Sequence, residues 1–177
     1  GCARAAPELM PIDRTAAARA IADFLRALGH DPTQDPGVAS TPERVAEAYA
    51  DELLAGYAVD LRQLVESGSV ASEAAGDHGI VVVSGIAIAT VCPHHLLPST
   101  GSATVAYRPG KRLLGLGTIA ALVQACAQRL ALQEQIGKDV VSLLIEHAGA
   151  RGAFCRLSLA HGCLAARGAR QVTATVQ

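Results

Sequence analysis

A cysteine and two histidines stand together at Cys92-Pro93-His94-His95, and a matching His161-Gly162-Cys163 lies far along the chain. A thiolate and an imidazole three residues apart can grip one metal ion, and a distant second thiolate can close the grip. Cys92, His95 and Cys163 then supply three ligands and leave a fourth position open. That is the ligand count of a catalytic zinc site, not of a closed structural one. A cysteine taken alone is commonly a small buried hydrophobe. The pairing of Cys-x-x-His with His-x-Cys separates these two from Cys126, in a helical stretch, and Cys155, in a strand-like one. His94 and His161 flank the proposed ligands. Each is either a proton carrier at neutral pH or a hydrogen-bond partner that orients the centre. Two thiolates and one imidazole suit Zn2+, with Fe2+ as the alternative ion.

The elements that must position these residues are readable from periodicity. Arg14 to Leu28 places Ala17, Ile21, Phe24, Leu25 and Leu28 on one helical stripe, and Gly29 offers a stop. Ser40-Thr41-Pro42-Glu43 reads as a helix start with a capping box, running to about Ala55. Asp60 to Glu66 fits a further short helix, and Ser67 to Asp77 is small and polar enough for a flexible loop. Strand signals follow: Ile80–Val83 and Ile86–Val91, broken at Ser84-Gly85, then Ser102–Tyr107, turned by Pro109-Gly110. Thr118–Leu132 and Gln135–Ala148 read as two long helices. Phe154–Ala160 and Val172–Val176 read as strands. Helices, strands, helices and strands in that order point to an α+β fold with an antiparallel sheet and its helices on one face, not to βαβ alternation.

A chain of 177 residues with half of them apolar suits a single domain with a sizeable core. The expected organisation is one domain over 1–177, with an N-terminal helical region at 1–67 and a catalytic core at 78–177. A formal net charge of -1 gives no footprint for nucleic acid or an anionic membrane. No apolar run reaches the roughly 20 residues that span a bilayer. Five cysteines without framework spacing fit reduced thiols in the cytoplasm better than disulfides. Cys2 carries no weight, and His30, His78 and His147 are expected in solvent.

The motifs Cys92-Pro93-His94-His95-Leu96-Leu97-Pro98, Tyr107-Arg108-Pro109, Leu114-Gly115-Leu116, Gln133-Glu134, His161-Gly162-Cys163 and Arg167-Gly168 occur in that order, with Thr41-Pro42-Glu43-Arg44-Val45 ahead of them. Together they resemble the GTP cyclohydrolase I family over nearly the whole chain. The resemblance implies the tunnelling fold (T-fold), in which antiparallel sheets and paired helices assemble into a barrel of subunits. The precedent is a homo-oligomer, a decamer with sites at subunit interfaces. It implies Zn2+ on Cys92, His95 and Cys163, and proton transfer by His94 and His161. Gln133 and Glu134 would bind a guanine-like ring, and Arg167 a phosphate. The implied reaction is hydrolytic opening of a purine-like imidazole ring by metal-activated water.

The sequence also departs from the family pattern. A Lys and an Arg that grip the triphosphate are expected where Thr118 and Ala121 stand, just after Gly117, and Pro93 replaces an acidic residue. Two lost charge-assisted contacts, at about 1.5–3 kcal/mol each, would weaken triphosphate binding by orders of magnitude. The expectation is therefore a cyclohydrolase acting on a nitrogen heterocycle or purine nucleoside or nucleotide with few phosphates. The alternatives are a GTP cyclohydrolase I making 7,8-dihydroneopterin triphosphate, with help from Arg44, Arg108 or Arg170, and an inactive module stabilised by metal. A nitrile-reducing relative of the same fold uses a nucleophilic cysteine without zinc, and the two-Cys-one-His pattern argues against it.

Overall fold

The computed structural model describes residues 11–71 and 79–177. The readings of Cys2 and His78, and of the loop beyond Ala71, lie outside them. The chain divides into two compact units, one ending at Ala55 and one running from Gly56 to Gln177.

In the first unit, α1 (Arg14–Ala27) starts at Asp13, whose side chain accepts from the Ala16 N–H at 2.9 Å. It packs against α2 (Thr41–Glu47). Arg14 also pairs with Asp51, and its hydrogen bond holds the Asp51 carboxyl below the usual carboxylate range. Pro42 stands in the first turn of α2 as expected, but the Ser40 hydroxyl makes no capping bond, so the capping box does not form. The helix does not run regularly to Ala55 either. At Ala48–Leu53 the winding loosens to a π-helical turn, closed by the Leu54 N–H on the Tyr49 carbonyl.

The second unit is built on antiparallel strands. After α3 (Leu61–Ser67), capped by Asp60, comes β1 (Ser69–Ala71), a strand where the sequence suggested loop. It pairs with β4 (Arg112–Leu114), which periodicity is too short to reveal. The main sheet has the order β2-β3-β5-β6: Val81–Val91, Pro98–Arg108, Gly152–His161 and Thr175–Val176. The two apolar runs on either side of Ser84-Gly85 are one strand, β2, with a bulge between them where Gly85 takes φ +72°. Two residues remain of the strand expected over Val172–Val176.

Two helices pack on the sheet: α4 (Leu116–Ala127) against β2 and α5 (Gln133–Glu146) against β5. Ile86, Ile88, Ala103, Val105, Leu157 and Leu159 point inward from the strands. They meet Ile119, Leu122, Val123, Ile136, Val140 and Leu144 from the helices. Buried and open positions alternate along these strands, as one covered sheet face requires, and the other face is mixed, with Val82 and Phe154 exposed beside Arg156. α4 ends five residues before the expected Leu132 because the chain there has other partners. The Gln128 carbonyl accepts from the Gly56 N–H, Arg129 donates twice to the Gly56 carbonyl, and Leu130 bridges to Val91. This early stop matters for the site, because it lets α5 begin at Gln133.

Candidate metal centre

Cys92 follows the end of β2 and opens the six-residue connection to β3, which is shaped by its own backbone. The Cys92 N–H donates to the Leu97 carbonyl at 3.0 Å, and the Leu96 N–H donates to the Cys92 carbonyl at 2.9 Å. Closing so tight a loop forces Leu96 to φ +53°, a left-handed conformation that costs a non-glycine residue on the order of 1–2 kcal/mol. His94 and His95 sit at the crest of this loop with rings edge to face, centroids 6.3 Å apart. The Cys92 Sγ lies 3.7 Å from His95 Nδ1 and 4.0 Å from His94 Nδ1.

The third thiol arrives from the end of β5. His161 is the last residue of that strand, and Cys163 stands in α6 (Gly162–Ala165), a single turn absent from the sequence reading. Gly162 is needed for close approach: a Cβ there would stand 2.6 Å from the Pro98 carbonyl oxygen. Any side chain would push the turn off the start of β3.

The ligand atoms of Cys92, His95 and Cys163 all lie within 4.8 Å of one another. Two bonds of about 2.3 Å to sulfur and 2.0–2.1 Å to nitrogen, meeting at a tetrahedral angle, separate the donor atoms by about 3.6 Å. The Cys92–His95 pair, at 3.7 Å, is already at that spacing. Burial, and then the neighbouring Cys92, push the Cys163 thiol above its ordinary value, while Arg167 pulls the other way. A divalent cation between two such thiols reverses the penalty of charging both. Cys92 is buried and His95 exposed, so the cluster has one protein wall and one open side. The donor set and its spacing therefore fit a metal ion with one position to spare.

His161 is held separately. It faces Ser99 across the β3–β5 ladder, with Ser99 Oγ 3.0 Å from its Nδ1. Its Nε2 lies 2.9 Å from Gln133 Oε1. The Gln133 Nε2 donates to the carbonyls of Leu157 at 3.2 Å and Val176 at 3.0 Å. Ser99, 1 % exposed, was not picked out in the sequence, where nothing but its place after the Cys92–Pro98 motif would have marked it.

The remaining expected residues distribute around this core. Glu134 follows Gln133 in the first turn of α5 and lines a cavity of about 500 Å³ with Lys138, Phe154, Arg156 and Gln177. Arg167 is exposed beyond α6, near enough to act on Cys163. Gly117 and Thr118 lie in the first turn of α4, where Thr118 packs on Gly68 so closely that a Cβ on Gly68 would come 2.3 Å from its Oγ1. His147, expected in solvent, is partly buried, with its Nδ1 3.5 Å from Glu66.

An antiparallel sheet backed by paired helices, with thiol and imidazole donors gathered where two of its strands end, defines an α+β protein with a candidate metal site at the strand ends. A family model described as GTP cyclohydrolase I matches residues 17–177. A protein of Leifsonia xyli subsp. xyli named GTP cyclohydrolase 1 is 42% identical over 163 residues, covering 92% of this chain and 83% of its own length. Proteins of the same name from Allorhizobium ampelinum and Hyperthermus butylicus are 37% and 36% identical. The first covers 96% of this chain and 82% of its own length, and the second 94% and 81%. The chain belongs to the GTP cyclohydrolase I family, and its fold is the tunnelling fold of that family. Among the described residues no helix is long and apolar enough to cross a membrane.

Proposed function

We propose that this chain is a GTP cyclohydrolase I that hydrolyses the imidazole ring of GTP, releases formate and leaves 7,8-dihydroneopterin triphosphate. The observation that carries the reading is the convergence of Cys92, His95 and Cys163 from two distant segments onto one open-sided point. Those three side chains would hold Zn2+, with Fe2+ as the alternative ion. When bound, the ion supplies Lewis acidity, which brings the pKa of water near neutrality and polarises the attacked carbon.

The chain's own groups do the rest. His161, gripped at both ring nitrogens, and His94, exposed beside Cys92, take and return protons. Glu134 presents a carboxylate to the paired N–H donors of the guanine edge, a strongly oriented contact. Arg167 meets phosphate, with Arg108 and Arg170 as further cations for the triphosphate. The family precedent of a cytoplasmic homo-oligomer extends to this chain, and residues 1–177 act as one catalytic domain led by its N-terminal helices. The relatives' shared name supports GTP over the phosphate-poor heterocycle expected from Gly117, Thr118 and Ala121, and nothing supports an inactive module.

Formate release by the zinc-loaded chain from GTP, GMP and guanosine tests this. GTP is expected to turn over, and removing phosphates is expected to lower kcat/KM by about tenfold or more, as lost charge-assisted contacts should. Equal kcat/KM for GTP and guanosine would overturn GTP as the substrate. His161→Ala is expected to keep the metal and lose about 100- to 10,000-fold in kcat, the span of one general acid–base group.

A further inference from the structure

The resemblance makes Gln133 a substrate contact, yet both amide hydrogens and the amide oxygen already have protein partners. Both hydrogens of its Nε2 have carbonyl acceptors, Leu157 on β5 and Val176 on β6. Turning the amide over would set its oxygen against those two carbonyl oxygens, so the orientation is fixed by the backbone. Oε1 must then face His161 Nε2, at 2.9 Å. An amide oxygen only accepts. His161 Nε2 therefore carries a hydrogen, and in the neutral ring Nδ1 is left as the acceptor. Ser99 Oγ, 3.0 Å from Nδ1, is the matching donor, because a hydroxyl turns to suit. Ser99 and Gln133 are 1 % and 7 % exposed, so water competes little for either bond.

We infer that Gln133 and Ser99 are positioning residues that fix the ring plane and the Nε2–H tautomer of His161. The inference rests on the reading of His161 as a proton carrier. Contacts at both ring nitrogens hold the ring plane from two sides, Gln133 at Nε2 and Ser99 at Nδ1. The device also joins four pieces of the second unit: the start of β3, the end of β5, the start of α5 and β6.

A double-mutant cycle tests this in the full-length, zinc-loaded chain. Gln133→Leu is expected to lower kcat about 10- to 100-fold, the usual cost of removing an orienting partner, with KM and zinc content unchanged. In a His161→Ala background the same change is expected to add less than about twofold, because its effect passes through the ring. A raised KM at unchanged kcat would make Gln133 a substrate contact and overturn the inference. Full additivity with His161→Ala would overturn it as well. Ser99→Ala, with Ser99→Thr as the hydroxyl-keeping rescue, repeats the test should Gln133→Leu fail to fold.

A readout independent of turnover is the solid-state 15N spectrum of histidine-labelled chain, with His161 assigned by its disappearance in His161→Ala. The inference requires a protonated Nε2 and an unprotonated Nδ1 in the wild type, and mixed tautomers in Gln133→Leu. The opposite tautomer in the wild type would end it. If GTP is not turned over at all, the proposed function fails while this spectrum still decides the tautomer.

Discussion

Two pairs of cysteines in the second unit show how differently one residue type can be used. Cys126 on α4 is buried in the core, and Cys155 on β5 packs against it. Burial pushes their thiols up to about 12 and about 11. Such thiols stay protonated and behave as small apolar groups. Cys92 and Cys163 stand where strands end, and their sulfurs and the His95 ring nitrogen lie within 4.8 Å of one another. What makes a thiol a candidate ligand here is neither burial nor exposure. It is the convergence of chain ends, because only there can donors from distant segments meet around one open point.

Single substitutions should break the comparison most sharply. Cys92→Ala is expected to abolish stoichiometric metal binding and bring formate release to background, as removal of one of three ligands should. Cys126→Ala is expected to keep both and lose about 1 kcal/mol of stability. Metal analysis beside a formate assay reads both variants, and a Cys126→Ala chain without metal would end the distinction. Next comes reactivity. A thiol reagent should label Cys163 only after a chelator is added and leave Cys126 and Cys155 unlabelled until the chain unfolds, as mass spectrometry can follow. Third, Cys126→Ser places a hydroxyl in an apolar pocket and should cost about 1–3 kcal/mol, seen as a lower denaturation midpoint.

The smallest effect is alkaline. Cys126 keeps its proton in the fold up to about 12, against an ordinary 9.0. The folded state binds more protons than the unfolded one in that window. The contribution is therefore full below pH 9 and is lost as pH rises toward 12. Denaturation series between pH 8 and pH 10 should show a decline that is shallower in Cys126→Ala.

The sequence carried the site further than it carried the fold's details. Cys92, His95 and Cys163 were legible because metal chemistry restricts both residue type and spacing, and the structure gathers them. The long helices and the β2, β3 and β5 strands were legible because each buries one periodic face. β1, β4 and α6 were not, since elements of three or four residues carry no period. The true end of α4 was hidden for another reason: its competitors, Gly56 and Val91, lie far away in sequence. Ser99 was hidden likewise, because its meaning comes from facing His161 across a ladder, and a lone serine in a strand announces nothing.

The close approach of Gly162 to the Pro98 carbonyl also bears on folding order. Cys92 and His95 share one short loop and can meet in a largely unstructured chain. Cys163 can join them only after β3 and β5 have zipped together over their full length, since Gly162 must slide under Pro98 at the last rung. Pairing between segments so distant along the chain is slow to nucleate, because loop closure comes before its reward. Three-donor capture of an added ion would therefore serve as a clock for the final rung of the ladder. In a refolding experiment, the moment the third donor closes should mark completion of the sheet, not its beginning.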